Sequence, residues 1–290
     1  MMAATVRDAL AATEARLRSA GIAEPRADAE VLLAHVLGTT RAGLVIAARE
    51  ELPATAGVRL DALVDRRAAR EPVHHLVGER EFWSLPLAVD RRALVPRPET
   101  ELVVEAVLRL APDARRVVDV GTGSGAIAAA LARELSGAHV WATEVDDGAC
   151  AVARENLRRH APTVTLVRAD LLAAFRPGAF DVVVSNPPYV SDAELATLAP
   201  EVREHEPRGA LAGGADGLDV LRALVAEATG VLVPGGWLVV EMGAGQADAV
   251  RALVAGTGRY GDAVVARDHA GIERVLAAAV TGGEGGWIRS

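Results

Sequence analysis

The sequence predicts an α/β fold: a seven-stranded, mostly parallel sheet with helices on both faces, preceded by a small helical bundle and a β-hairpin linker. Three observations carry this reading. Through the first seventy or so residues, apolar side chains recur only near helical spacing. From residue 98 onward, short β-rich runs alternate with helical patterns, the signature of strands joined by crossover helices. The last two runs are separated only by Asp268-His269-Ala270-Gly271, which fits an antiparallel hairpin at a sheet edge.

In chain order, Val6, Leu10 and Leu17 mark a first helix. Val31, Leu32, Val36 and Leu37 mark a second, introduced by Pro25 and by Asp28 and Glu30 in its early turns. Leu60, Leu63 and Val64 mark another, and Gly21, Gly38 and Pro53 separate the pieces. Residues 79–95 change character around Leu85-Pro86-Leu87-Ala88-Val89 and read as the hairpin. Pro98 is placed to open a helix carrying Leu102, Val103, Val107 and Leu110 on one face. Seven strands follow: Arg116–Val120, His139–Glu144, Thr163–Arg168, Phe180–Ser185, Trp237–Met242, Asp262–Ala266 and Glu273–Ala277, with helical patterns between the first five. The divisions fall at 1–75 for the helical domain, 76–96 for the linker, 97–280 for the sheet domain and 281–290 for a flexible, glycine-rich tail.

Composition narrows the function. A chain of 290 residues with 51% hydrophobic and 24% charged residues is a folded globular protein of about two domains. All 31 basic residues are Arg, so no lysine can serve as a Schiff base or phosphate anchor. The net charge of −8 lacks the basic footprint of a non-specific nucleic-acid binder. Cys150, the single cysteine, excludes an intrachain disulfide and a Cys-rich zinc site; it sits in an apolar helical run, as a buried thiol would. The seven histidines show no ligand spacing, and the adjacent His74-His75 pair reads as structural, with no metal expected. The N-terminus lacks the pattern of a signal peptide and no run is long and apolar enough for a membrane helix, so the expectation is a cytoplasmic protein without membrane contact.

Two motifs carry chemistry. Asp119-Val120-Gly121-Thr122-Gly123-Ser124-Gly125 straddles a strand end and a helix start, where glycines let the backbone turn tightly and approach a ligand. Glu144, at the end of the next strand, is placed for ribose hydroxyls, although Asp146 and Asp147 beside it could equally be caps or surface carboxylates. The G-x-G-x-G spacing favours a nucleoside without phosphates over a dinucleotide. Asp170, past the third strand, can reach an adenine amino group or cap a helix. The second motif, Asn186-Pro187-Pro188-Tyr189, follows the strand Asp181–Ser185. Two prolines end a strand and add no backbone donors, leaving a corner of acceptors beside an aromatic ring, suited to a planar –NH2 group.

With these residues in this order, the sequence resembles the Rossmann-like class I S-adenosylmethionine-dependent methyltransferases acting on planar amino or amide nitrogen. More narrowly it resembles the bacterial peptide-chain release factor glutamine-N5 methyltransferases, over nearly the whole chain. Matching segments include Asp28–His35, Glu71–Leu76, Arg80-Glu81-Phe82-Trp83 and Val95-Pro96-Arg97-Pro98-Glu99-Thr100-Glu101. Related enzymes that methylate a ribosomal-protein glutamine share N-P-P-Y but depart from the Arg-Pro-Glu-Thr-Glu pattern. The resemblance implies S-adenosylmethionine as cofactor, release factors as protein substrate, and methylation of the glutamine of their Gly-Gly-Gln loop, which aids peptide release. It implies cofactor binding by Gly121, Thr122, Gly123, Ser124, Gly125, Glu144, Asp170, Leu171 and Asn186; residues 1–75 are then expected to dock the release factor, with a lid or a stabiliser of the sheet as the alternatives. Glu144 stands where Asp is common, and Leu171 where some members carry an aromatic residue.

An amide nitrogen is a poor nucleophile because its lone pair is delocalised. The expectation is that the Asn186 side-chain oxygen and the Pro187 carbonyl accept the two glutamine N–H groups and aim the lone pair. Pro188 and Tyr189 complete the substrate contact, with Tyr189 packing on the amide plane. Phe82-Trp83 could touch substrate, cover the cofactor or pack a core; Arg97, Thr100 and Glu101 could be functional or serve surface and capping roles. A nucleic-acid amino-methyltransferase uses a similar corner and is the nearest alternative; a non-catalytic binding adaptor is the second. The acidic chain and the release-factor-type segments count against the first, and the intact motifs against the second.

Overall fold

Helix-start chemistry organises the N-terminal part of the computed structural model, which describes residues 4–281. Thr5 and Asp8 form a reciprocal capping box for the helix Val6–Ser19, whose Val6, Leu10, Thr13 and Leu17 are buried. Pro25 opens the helix Pro25–Leu37, and Gly38, at φ 63°, closes it in the left-handed conformation a glycine adopts without strain. Short helices Arg41–Ile46 and Val73–Val77 flank the longer Ala54–Ala68. Their apolar faces meet in a core that includes Leu17, Leu32, Leu33, Leu60 and Val64. Inside it, the Arg67 guanidinium donates to Asp28 at 2.7 Å and to Glu201 at 2.9 Å, so each buried charge has a partner. Glu201 belongs to the short helix Pro200–His205, and residues 199–205 cluster with residues 1–79 as one compact unit. The sequence reading kept that segment in the 97–280 stretch, because nothing local marks its Glu201 as a partner of Arg67.

Residues 80–198 and 206–281 make the second unit. The hairpin strands β1 (Glu79–Phe82) and β2 (Leu85–Ala88) turn through Trp83 and Ser84, both at positive φ. Such a turn is strained for residues with a Cβ. Here it is tied down: Trp83 donates its backbone N–H to Glu101 at 2.7 Å and its indole N–H to Glu134 at 2.8 Å. Phe82 is buried in the core with Leu87, Val103 and Val107. Pro98 opens a 3-10 turn, Pro98–Thr100, before the helix Glu101–Leu110.

The sheet contains β3 (Arg116–Val120), β4 (His139–Glu144), β5 (Thr165–Arg168), β6 (Phe180–Ser185), β7 (Leu232–Glu241), β8 (Val264–Arg267) and β9 (Glu273–Ala279), in the order β5-β4-β3-β6-β7-β9-β8. The first five are parallel, and β9 lies antiparallel between β7 and β8. Helices Ala126–Glu134 and Asp147–His160 cover one face together with Glu101–Leu110; Asp219–Val231 and Ala247–Gly256 pack with the opposite-face residues Val118, Val183 and Leu238.

Two expectations are corrected. No helix joins β5 to β6: residues 169–179 form turns, with Leu171 at φ 43° and Pro177-Gly178 at the far end, too short and too interrupted for a helical crossover. Strand β7 starts five residues earlier than expected, running through Pro234-Gly235-Gly236 with a register irregularity opposite Phe180 and Val182. The tail from residue 281 lies, apart from Thr281, outside the described residues. Among the described residues no helix is long and apolar enough to cross a membrane.

Candidate active site

The strand order sets the site. After β5 the chain crosses from one edge to the other side of β3, so β3 and β6 lie side by side with their next strands on opposite sides. Loops leaving such a pair diverge, and the crevice between them is where open α/β sheets bind ligands. The glycine loop leaves β3 and Asn186-Pro187-Pro188 leaves β6. Both line a cavity of about 680 Å³ that also includes Glu144, Asp170 and Leu171.

On the β3–β4 side the backbone does most of the shaping. Gly121 and Gly123 have φ of 67° and 56°, and a Cβ on either would meet open space, so conformation rather than crowding requires glycine there. Gly125, at the start of the helix Ala126–Glu134, does not line the cavity; a Cβ there would come within 3.3 Å of Leu157. Beneath the loop Asp119 is fully buried and accepts from the Thr122 hydroxyl at 2.6 Å and the Ala128 N–H at 3.1 Å. Burial pushes its carboxyl up to about 7, against the pull of those hydrogen bonds. Asn156 braces the loop from behind, donating to the carbonyls of Ser124 and Ala88 and accepting the Ala88 N–H.

Glu144 ends β4 with a carboxylate only 8% exposed. One oxygen accepts the Gly123 N–H at 3.0 Å, and the other accepts Val145 and Asp146 N–H groups at 2.8 and 3.0 Å. A carboxylate offers about four acceptor positions, so three are taken and room remains for one donor before a backbone contact must yield. Asp146 caps the helix Asp147–His160 through the Ala149 N–H. Cys150 is buried, its thiol directed to the Glu144 carbonyl. Asp170 is exposed at the cavity wall and caps no helix, because turns follow it; Leu171 stands beside it in the left-handed conformation.

The β6 side is held by residues far away in sequence. Asn186 donates its side-chain N–H to the Thr100 hydroxyl at 3.0 Å, which leaves the amide oxygen for the cavity. Arg97 lines the same wall and pairs with the buried Glu206. Glu101 accepts from Trp83, and neither Phe82 nor Trp83 lines the cavity. Tyr189 stands differently from expectation. It is absent from the cavity wall, packs with the core beneath the sheet's far face, and donates its hydroxyl to Glu241 at 3.2 Å. Burial, with the Glu241 carboxylate beside it, pushes the phenol well above its ordinary value.

Sequence reading missed Glu241 and Gln246. Gln246 accepts the Gly243 N–H at 2.8 Å and donates to the Tyr189 carbonyl at 3.0 Å. The available signal was Glu241-Met242-Gly243-Ala244-Gly245-Gln246: a carboxylate at a strand end followed by glycines and an amide.

With this geometry in place, comparison with known proteins is informative. Residues 8–78 match the PrmC N-terminal domain family and residues 98–202 the methyltransferase small domain family. The chain is 44% identical to the release factor glutamine methyltransferase of Geobacter sulfurreducens, over 94% of this chain and 95% of the relative. It is 45% identical to that of Moorella thermoacetica over 94% and 98%, and 44% identical to that of Deinococcus radiodurans over 96% and 99%. Solved structures share the fold. A methyltransferase from Pyrococcus furiosus matches with a TM-score of 0.54 at 22% identity, covering 75% of this chain and 99% of that one. The Thermus thermophilus 16S rRNA N2 G1207 methyltransferase, solved with AdoMet and guanosine, matches with a TM-score of 0.51 at 22% identity, covering 70% and 49%. Near-complete coverage by relatives of that identity, together with the crevice between β3 and β6, places this chain in the release factor glutamine methyltransferase family.

Proposed function

We propose that this protein methylates the side-chain amide nitrogen of the glutamine in the Gly-Gly-Gln motif of peptide-chain release factors. S-adenosylmethionine is the methyl donor, and the products are N5-methylglutamine and S-adenosylhomocysteine. The observation that carries the reading is the held amide of Asn186: with its nitrogen committed to Thr100, its oxygen is an acceptor beside the glycine loop.

The cavity fits the cofactor. The space over Gly121 and Gly123 is open, the free acceptor position of Glu144 suits a ribose hydroxyl, and Asp170 suits an exocyclic amine. Ile127, Val145 and Leu171 supply apolar wall around them. Pairing of Glu144 with both ribose hydroxyls requires one backbone contact to give way, and the Gly123 N–H, in the loop, is the one placed to do so. When bound, the cofactor supplies an electrophilic methyl group on a sulfonium centre.

The chain's own work is positioning. The Asn186 amide oxygen and the Pro187 carbonyl accept the two N–H groups of the substrate amide, holding its plane so that the nitrogen lone pair faces the methyl group. Fixing reactants in line converts a bimolecular encounter into a near-unimolecular one, the largest contribution available without a resident acid or base. The amide nitrogen becomes strongly acidic on methylation, so its proton can leave afterwards without a dedicated base. Pro187 and Pro188 donate no backbone hydrogen bonds of their own and keep this corner purely accepting. Tyr189 supports the turn from behind.

Residues 8–78, matched to the PrmC N-terminal domain family, serve as the docking surface for the release factor, which sets the site of action in the cytoplasm. The test is mass spectrometry of a purified bacterial release factor after incubation with this protein and S-adenosylmethionine. One added methyl on the Gly-Gly-Gln glutamine is the expected result. An unmodified factor, with cofactor binding verified by calorimetry, would overturn the reading and favour a nucleic-acid amino group as substrate.

A further inference from the structure

Around Asn186 and Arg97 the cavity wall is poor in donors. Pro187 and Pro188 follow Asn186, Pro96 precedes Arg97, and Pro207 follows its partner Glu206; all four prolines line the cavity, and none has a backbone N–H. The Ser185 hydroxyl is given to the Val120 carbonyl at 2.7 Å, and Asn186 gives an N–H to Thr100 at 3.0 Å. Arg97 shares a turn with that threonine, its carbonyl accepting the Thr100 N–H at 3.1 Å. Its side chain lines the same wall and is 38% exposed. Among the described residues its guanidinium makes one hydrogen bond, from Nη2 to Glu206 Oε1 at 2.5 Å, and the Glu206 side chain is only 2% exposed. A guanidinium carries five N–H donors, so about four remain for a ligand.

Anchorage separates Arg97 from a surface cation. Arg92, the other arginine on the cavity wall, grips the exposed Asp90 through both Nε and Nη2, whereas Arg97 is held at one corner by a buried acid and keeps the rest of its fork for the cavity. The substrate motif tells what such a fork can meet. The two residues before the glutamine are glycines, so a site can hold them only by their main-chain N–H and carbonyl groups. The Asn186–Pro187 corner accepts N–H groups and offers nothing to a carbonyl. We infer that Arg97 is a substrate-binding residue that donates to main-chain carbonyl oxygens of the Gly-Gly segment, setting how far the glutamine reaches into the cavity, and that Glu206 is the positioning residue that fixes it. The inference rests on the functional reading above. A neutral oxygen suits this guanidinium, because Glu206 already balances its charge; the carboxylate of the cofactor would stand as a second anion beside a buried first one. A planar fork fixed before the substrate arrives loses little freedom on binding.

The test measures kcat and KM of the full chain for a purified release factor, and S-adenosylmethionine affinity by calorimetry, in the native protein, Arg97→Met, Glu206→Met and the double variant. Methionine keeps the apolar stem of the arginine and removes every donor. Arg97→Met is expected to raise KM by about 10- to 100-fold, the worth of hydrogen bonds to a charged group, with kcat largely kept and cofactor affinity within about two-fold. Glu206→Met should raise KM by about three- to ten-fold, because the donors remain but are no longer fixed, and should add nothing once Arg97 is gone. Losses that multiply overturn the role of Glu206. Raising the salt from about 0.05 to about 0.5 M should leave the ratio of variant to native KM within about two-fold, because the acceptor is neutral. A ratio that collapses toward one overturns the inference and pairs Arg97 with an acidic side chain of the release factor. Near-native KM in Arg97→Met overturns it, as does a loss confined to kcat. So does a loss of S-adenosylmethionine affinity beyond about ten-fold, which would give Arg97 to the cofactor's carboxylate. If Arg97→Met melts early, the double variant decides, because it removes both charges of the buried pair: a raised KM with a native melt supports the contact, and a native KM overturns it. Failure of the native chain to methylate overturns the functional reading, and this inference with it.

Discussion

The two walls of the cavity are built on different principles. The β3–β4 wall is local: Gly121 to Ser124 and Glu144 lie within 24 residues of one another, and backbone conformation with one acidic side chain makes the surface. The β6 wall is assembled from afar: Asn186 depends on Thr100, Tyr189 on Glu241, and Gln246 holds the Tyr189 carbonyl. A wall that grips a cofactor can be made from a loop's own N–H groups and open space. A turn containing two prolines has few donors of its own, so the β6 wall is held by side chains from other elements. Each wall rests on a buried acid, Asp119 beneath the loop and Glu241 beneath the turn, each with one carboxyl oxygen lacking a hydrogen-bond partner.

If the division of labour holds, substitutions on the two walls separate turnover from affinity. The largest effect is expected for Asn186→Ala: kcat on a release factor falls by about 100- to 1000-fold, the range for removing a preorganised polar group, while cofactor affinity by calorimetry hardly moves. An equal loss in both would merge the walls into one unit. Glu144→Ala should do the reverse, weakening S-adenosylmethionine binding by about 10- to 100-fold, the worth of hydrogen bonds to a charged group, with kcat at saturating cofactor largely kept. Gly123→Ala sharpens the point. Nothing obstructs its methyl group, so only the cost of a left-handed alanine applies, about 1 kcal/mol, and the folded state carries it with or without cofactor: stability should fall by about that amount and affinity should stay within about two-fold. A loss beyond a hundred-fold would mean that the cofactor crowds the loop.

The smallest effect compares the two buried acids. Asp119 rises from 3.8 to about 7 and Glu241 from 4.5 to about 7, both chiefly through burial. The folded state therefore binds their protons more tightly than the unfolded chain does. Their contribution to stability is complete below about pH 4 and is lost as the pH climbs through about 7. Thermal melts across that window should show a downward component that flattens in Glu241→Gln, whose neighbours Tyr189, Arg274 and Glu99 remain. An unchanged slope would mean that Glu241 is ionised throughout.

The local wall was the legible one. The bounds of β3, β4 and β6 follow from their β-branched runs, and the glycine spacing announces a turn toward a ligand. The expected helix between β5 and β6 failed because an apolar stretch ending in Pro177-Gly178 has helical spacing without the length to use it. Tyr189 misled for a different reason: adjacency to Asn186-Pro187-Pro188 suggested a shared surface, yet the turn carries its ring to Glu241 and away from the cavity. Glu241 was invisible because its partner Tyr189 lies 52 positions away, and no local pattern separates a strand-end carboxylate facing a hydroxyl from one facing water.

The sequence by itself determined most of the elements, the glycine loop after β3 and the Asn-Pro-Pro turn after β6, because these depend on backbone freedom and side-chain periodicity within short stretches. Only the tertiary structure decided that β3 and β6 stand side by side, that the cavity opens between their loops, and that Asn186 is held by Thr100 and Tyr189 by a buried carboxylate on β7. Those outcomes depend on which distant residues the sheet brings within hydrogen-bond reach, and strand order is a property of the whole packed chain.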